Sequence, residues 1–140
     1  MSAIRFSIES RLENLAILGV AVRAACAQAG MDEVDSYQSE LAVIESATNA
    51  IKYAYSGKEG YQVDVVLTLG QDKVEFRVED SGVPMKSNGK SWADFDYLKA
   101  ASLPEHGMGL YIIKQTMDEV SYSSDTGRNV MVMARYLREK

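Results

Sequence analysis

Glu45 and Asn49 stand four residues apart in ELAVIESATNAIKYAY, so a carboxylate and an amide share one face of a helix. Two glycine-bearing segments follow: EDSGVP, with Asp80 and Gly82, and HGMGL, with Gly107, Met108, Gly109 and Leu110. The amide oxygen of Asn49 is a neutral ligand for Mg2+, an ion that keeps several waters and shares its shell with phosphate oxygens. Glu45, one turn earlier, is placed to accept a proton from a hydroxyl or water attacking the far end of a triphosphate. Asp80, at a strand end, offers an acceptor to an exocyclic amine such as N6 of adenine, and Gly82 lets a ligand approach the backbone without a Cβ in the way. Gly107-Met108-Gly109 opens a helix, where bare N–H groups and the positive dipole end favour phosphate. Each signal alone is weak. Glu-x-x-x-Asn is as readily a solvated helix shoulder, Asp-x-Gly a turn, and Gly-x-Gly mere punctuation. In this order they describe a nucleotide site that needs no Walker A loop, and the chain has none.

One magnesium does not neutralise a triphosphate, so such sites usually add an Arg or Lys clamp. Glu105 and His106 precede Gly107, which leaves Lys86, Lys90 and Lys99 in the preceding segment and Lys52 on the Glu45–Asn49 helix. Helical phasing puts Lys52 on the same shoulder as Asn49 and makes it the first candidate; the alternative is a solvated surface lysine.

The elements that must position these residues can be read from periodicity. Residues 4–8 alternate as a short strand, and Ser10-x-x-Glu13 reads as a capping box. The helix it opens carries Leu12, Leu15, Leu18, Gly19, Val22, Ala25 and Cys26 at helical spacing and ends at Gly30; Cys26 reads as a buried core thiol. A second helix starts near Asp35 or Ser36 and runs to about Tyr55, with Leu41, Ile44, Thr48, Ile51 and Tyr55 as its inward stripe and Gly57 as its stop. Residues 63–69 and 74–78 form a hairpin through Gly70-Gln71-Asp72. Residues 84–106 are a long connection of the kind that serves as a lid, with a short helix over 92–101 whose Trp92, Phe95 and Tyr97 form a satellite core. A helix from Gly107 directs Leu110, Ile113 and Met117 inward, and residues 120–123 and 130–136 close the domain as a second hairpin with Met131 and Met133 in the core. The expected fold is α+β: a two-layer α/β sandwich with a mostly antiparallel sheet and helices on one face.

At 140 residues the chain reads as a single domain, 1–140, large enough for a two-layer core. No apolar run approaches the roughly 20 residues of a membrane span, and MSAIRFSIES lacks a signal-peptide pattern, so a cytoplasmic protein is expected. Cys26 is the single cysteine, which excludes an intramolecular disulfide. The net charge of −5, with no basic stripe, argues against nonspecific nucleic-acid binding.

The three boxes together resemble the ATPase-and-kinase superfamily of gyrase, its heat-shock chaperone, sensor histidine kinases and mismatch-repair ATPases, which share the Bergerat ATP-binding fold. More narrowly, from residue 4 to 136, the chain resembles the bacterial anti-sigma-factor serine kinases. Glu45 and Asn49 match the first box, Asp80 and Gly82 the second, and Gly107, Gly109 and Leu110, continuing into YIIKQTMDEV, the third. The resemblance implies Glu45 as general base toward a serine or threonine, Asn49 as magnesium ligand, Asp80 as adenine reader, and Gly107 with Gly109 at the phosphates of ATP. It implies two partners, a sigma factor and an antagonist protein carrying the acceptor serine, and a homodimer with the first strand and helix near the interface. The expected role is an ATP-dependent serine/threonine kinase that phosphorylates the antagonist and sequesters the sigma factor; the alternative is a noncatalytic ATP- or ADP-gated binding module. Three positions depart from the pattern: Tyr53 where the family often has His, Glu105-His106 where an arginine often precedes the third box, and Arg128 after Gly127 where Thr or Ser usually stands.

Overall fold

The computed structural model describes residues 2–85 and 107–137. Five strands, β1 (Ser2–Glu9), β2 (Gln62–Leu69), β3 (Lys73–Asp80), β4 (Glu119–Asp125) and β5 (Arg128–Tyr136), form one sheet in the order β1-β2-β3-β5-β4. Every neighbouring pair is antiparallel. Three helices, α1 (Leu15–Gln28), α2 (Glu33–Asn49) and α3 (Gly107–Thr116), pack with α2 between the other two. The strands bury alternate residues against them: Val63, Val65 and Leu67 from β2, Val74, Phe76 and Val78 from β3, Met131 and Met133 from β5. The helices answer with Leu18, Val22 and Cys26 from α1, Ala42, Val43 and Ala47 from α2, and Leu110 and Ile113 from α3. This is the expected two-layer α+β sandwich.

The second helix differs from expectation in start, stripe and end. It begins at Glu33, where the Asp32 side chain caps it by accepting the Asp35 N–H at 2.7 Å. Its buried residues are Asp35, Ser36, Ser39, Ala42, Val43, Ser46 and Ala47, while Leu41, Ile44 and Thr48 are half-buried on the flank. Close packing against α1, α3 and the sheet selects small side chains for the inner face. After Asn49 the helix widens into a π-helical turn, Ala50–Ala54, which shifts the phase and brings Ile51 and Tyr55 inward. Gly57, at φ 73°, ends it as expected.

Ser10 does not open a capping box. Its hydroxyl donates to Lys58 O and accepts the Tyr61 N–H, tying the end of β1 to the loop before β2. Arg11 instead precedes a short 3-10 turn, Leu12–Asn14, without a side-chain cap, and Leu12 is exposed. Farther round, Arg135 on β5 is buried and donates to Asp35, Gln38 and the Thr116 carbonyl, joining β5 to the start of α2 and the end of α3. The proposed lid beyond residue 85, with its short helix and aromatic trio, and Lys86, Lys90, Lys99, Glu105 and His106 lie outside the described residues.

Candidate nucleotide site

The C-terminal half of α2, the first turn of α3, the end of β3 and the start of β5 converge at one end of the sandwich. Glu45 and Asn49 are half-buried on α2. Gly109 on α3 lies directly against them: a Cβ there would stand 2.9 Å from Glu45 Oε2 and 3.4 Å from Asn49 Nδ2. A side chain there would press on Glu45 and shift its carboxylate. Leu110, one residue on, is 2% exposed and sits in the core with Ile113. Its side chain seats α3 on the core, which leaves only its backbone N–H, in the first helical turn, for the ligand contact expected of it. Gly107 and Met108 belong to the first turn of α3, where N–H groups lack helical partners.

Asn49 Nδ2 is buried with no hydrogen-bond partner among the described residues. An unpaired buried polar atom is costly, and here it marks an amide that no protein bond holds in place. Such a head group is free to turn its oxygen to a cation, so the residues fit a Mg2+ bound mainly through phosphate and water. Among the described residues no group of His, Cys, Asp and Glu forms a metal cage of its own.

Asp80 is buried at the end of β3, and its Oδ1 accepts from the Gly82 N–H at 2.9 Å and from Asn129 Nδ2 at 2.7 Å. Burial raises its carboxyl above the usual range, opposed by those two hydrogen bonds and the Arg128 charge. Asn129, 1% exposed, also donates to Gly82 O at 2.9 Å and accepts from Ser124 Oγ at 2.7 Å. Sequence reasoning stopped at Arg128 and missed this residue. The available signal was strand alternation: Asn129 shares the inward phase of Met131 and Met133. Arg128 faces the other side of the sheet and binds Asp64, Glu79 and Ser81 Oγ.

Gly82 has a different role from the one its spacing suggested. Its missing Cβ makes room for the protein's own backbone, the carbonyl of Ala54, rather than for a ligand. The Tyr55 hydroxyl adds a second tie, accepting the Ser81 N–H at 2.8 Å and donating to Gln62 O at 2.7 Å. Lys52 is exposed on the π-helical turn. Regular helical phasing ends at Asn49, so the argument that put Lys52 over the Glu45–Asn49 face no longer holds.

A carboxylate, a spare amide, a glycine-opened helix and a buried acceptor thus share one end of the fold. The sequence profile of the histidine kinase-like ATPase domain matches residues 8–135. The chain belongs to this family. Among characterised proteins it is similar to the serine-protein kinase RsbW of Bacillus cereus (strain ZK / E33L), 29% identical over 98% of this chain and 86% of that protein. It is also similar to serine-protein kinase RsbW of Listeria monocytogenes (strain EGD-e), 30% identical over 92% of this chain and 80% of that protein. In fold it resembles the crystal structure of the RsbU and RsbW domains of Rv1364c from Mycobacterium tuberculosis, with a TM-score of 0.69 and 15% identity; the match covers 99% of this chain and 34% of that one. Among the described residues no helix is long and apolar enough to cross a membrane.

Proposed function

We propose that this chain is an ATP-dependent protein serine/threonine kinase acting as an anti-sigma regulatory factor. The observation that carries the reading is the approach of Gly109 to Glu45 and Asn49, which gathers base, metal ligand and phosphate-binding backbone at one point. Similarity to serine-protein kinases over nearly the whole chain supports the acceptor type.

Asp80 accepts the exocyclic amine of adenine. The first turn of α3 directs backbone N–H groups at the phosphates. Asn49 holds Mg2+ through its amide oxygen; the ion, when bound, neutralises charge that builds on the phosphate oxygens. Glu45 removes the proton of the acceptor hydroxyl as its oxygen bonds to the terminal phosphorus and ADP leaves with the bridging oxygen. The acceptor serine belongs to an antagonist protein, whose phosphorylation releases it and leaves the kinase to hold a sigma factor in the cytoplasm. The edge position of β1, with Ile17 and Val20 exposed on α1, supports a homodimer through that side.

Calorimetric titration of the Asn49→Ala protein with Mg-ATP tests the site. Asn49 lies off the core face, so the variant keeps its fold and loses magnesium-dependent binding. Unchanged affinity would remove Asn49 from the metal site and the reading with it.

A further inference from the structure

The pair Asp80–Asn129 carries more than a role in binding adenine. Both hydrogen bonds found at Asp80 among the described residues end on Oδ1: the backbone N–H of Gly82 from one side, the amide of Asn129 from the other. The orientation of the Asn129 amide is fixed from three directions. Its nitrogen donates to Asp80 Oδ1 and to Gly82 O, and its oxygen accepts from Ser124 Oγ. Turned over, the same amide would set its oxygen against a carboxylate oxygen and a carbonyl oxygen and leave the Ser124 hydroxyl facing a donor. With Oδ1 occupied twice, the acceptor that remains is Oδ2.

We propose that Asn129 is the positioning residue that holds Asp80 as a one-sided acceptor, and so sets the preference of the site for a base bearing an exocyclic amine over one bearing a carbonyl at the same place. This rests on the reading of Asp80 as the group that meets the base. Two bonds on one oxygen fix the carboxylate plane, so Oδ2 points one way. A donor on Oδ1 also favours the ionised form, which burial alone would disfavour. An ionised Oδ2 accepts from an amine and repels a carbonyl. A protonated one donates, and accepts the carbonyl base.

The titratable groups near Asp80 among the described residues are the phenols of Tyr55, from the π-helical turn, and Tyr122, from β4, while Arg128 adds its charge from the opposite face of the sheet. Burial holds both phenols above their ordinary range and Arg128 stays a cation, so none of them changes charge near neutral pH.

The test is the ratio of ATP to ITP affinity, since inosine carries a carbonyl where adenine carries its amine. It is measured by titration calorimetry on the full chain near neutral pH. Two strand-compatible variants guard against misfolding. Asn129→Thr retains a donor and keeps the ratio within about threefold of native, whereas its isostere Asn129→Val loses about tenfold. Equal ratios in the Thr and Val variants would overturn the proposal. If Asp80→Asn abolishes the preference while every Asn129 variant keeps it, Asp80 reads the base without help from Asn129. If Asp80→Asn keeps the native ratio, the placement of the base itself is wrong.

Discussion

A Cβ on Gly82 would stand 2.3 Å from the carbonyl oxygen of Ala54, and that carbonyl accepts the Val83 N–H at 2.9 Å. The turn that leaves β3 therefore rests on the backbone at the end of the helix that carries Glu45 and Asn49. Backbone against backbone, rather than flexible side chains, sets the spacing between Asp80 and Asn49, the proposed acceptor for the base and the proposed ligand for the metal.

Gly82→Ala is expected to destabilise the fold by about 1–3 kcal/mol, because the obstructing atoms are main-chain and cannot swing aside. Nucleotide affinity falls with it, since Asp80 moves with the turn. Chemical denaturation and a nucleotide titration on the same protein would show both losses.

Gly109→Ala should behave in the opposite way. Its new methyl meets the ends of side chains, Glu45 Oε2 and Asn49 Nδ2, which can move. Alanine in a helix is favoured over glycine by up to about 1 kcal/mol, so stability is kept or rises. Displacing Glu45 by about 1 Å is expected to cost on the order of 100-fold in phosphoryl transfer. Thermal melting and a transfer assay separate the two effects.

These two glycines also mark what the sequence made legible. Glu45, Asn49, Asp80 and Gly109 could be placed together because their spacing and order are set by elements whose periodicity is strong. The role of Gly82 could not, because its contact comes from Ala54, 28 positions away and beyond a π-helical turn that no local pattern announces. The same turn invalidated the phasing that favoured Lys52. The inner face of α2 was misjudged because large apolar residues draw attention, whereas the crowded middle helix buries serine and alanine. Asn129 and Arg135 were hidden in another way: both are polar residues on the inward phase of β5, satisfied only by partners distant in sequence, Asp80 and Asp35.

On the outer face of the sheet, Asp64 accepts from Ser7, Gln62 and Arg128 and lies 3.4 Å from Arg5. Burial pushes its carboxyl up, but the hydrogen bonds from Ser7, Gln62 and Arg128 and the Arg128 charge outweigh it, and the net pKa is lowered. A lowered folded pKa means that the stabilisation is full above the ordinary carboxylate value, 3.8, and is lost as pH falls through the folded value below it. Asp64→Asn is expected to cost about 1–3 kcal/mol at neutral pH. Urea denaturation down the pH scale should show the difference constant to about pH 4 and shrinking below it.

The β4–β5 turn holds Thr126 at φ 52° and Gly127 at φ 75°, the paired positive values of a two-residue hairpin turn. A β-branched residue is strained there and asparagine is not, so Thr126→Asn should stabilise the protein by about 1 kcal/mol. A melting temperature at or below that of the native protein would contradict this account of the turn.

The central claim is that Glu45 serves as the base for phosphoryl transfer to a protein hydroxyl. Glu45→Gln keeps the size of the side chain and its place beside Gly109 but cannot accept a proton at neutral pH. The direct measurement is transfer of labelled terminal phosphate from ATP to a serine of a purified antagonist protein, by the native chain and by this variant, with nucleotide affinity measured in parallel. The expected result is serine labelling by the native chain, unchanged affinity in the variant and transfer lower by about 100-fold or more. Transfer by the variant at the native rate, or no transfer by a native chain that binds Mg-ATP, would contradict it.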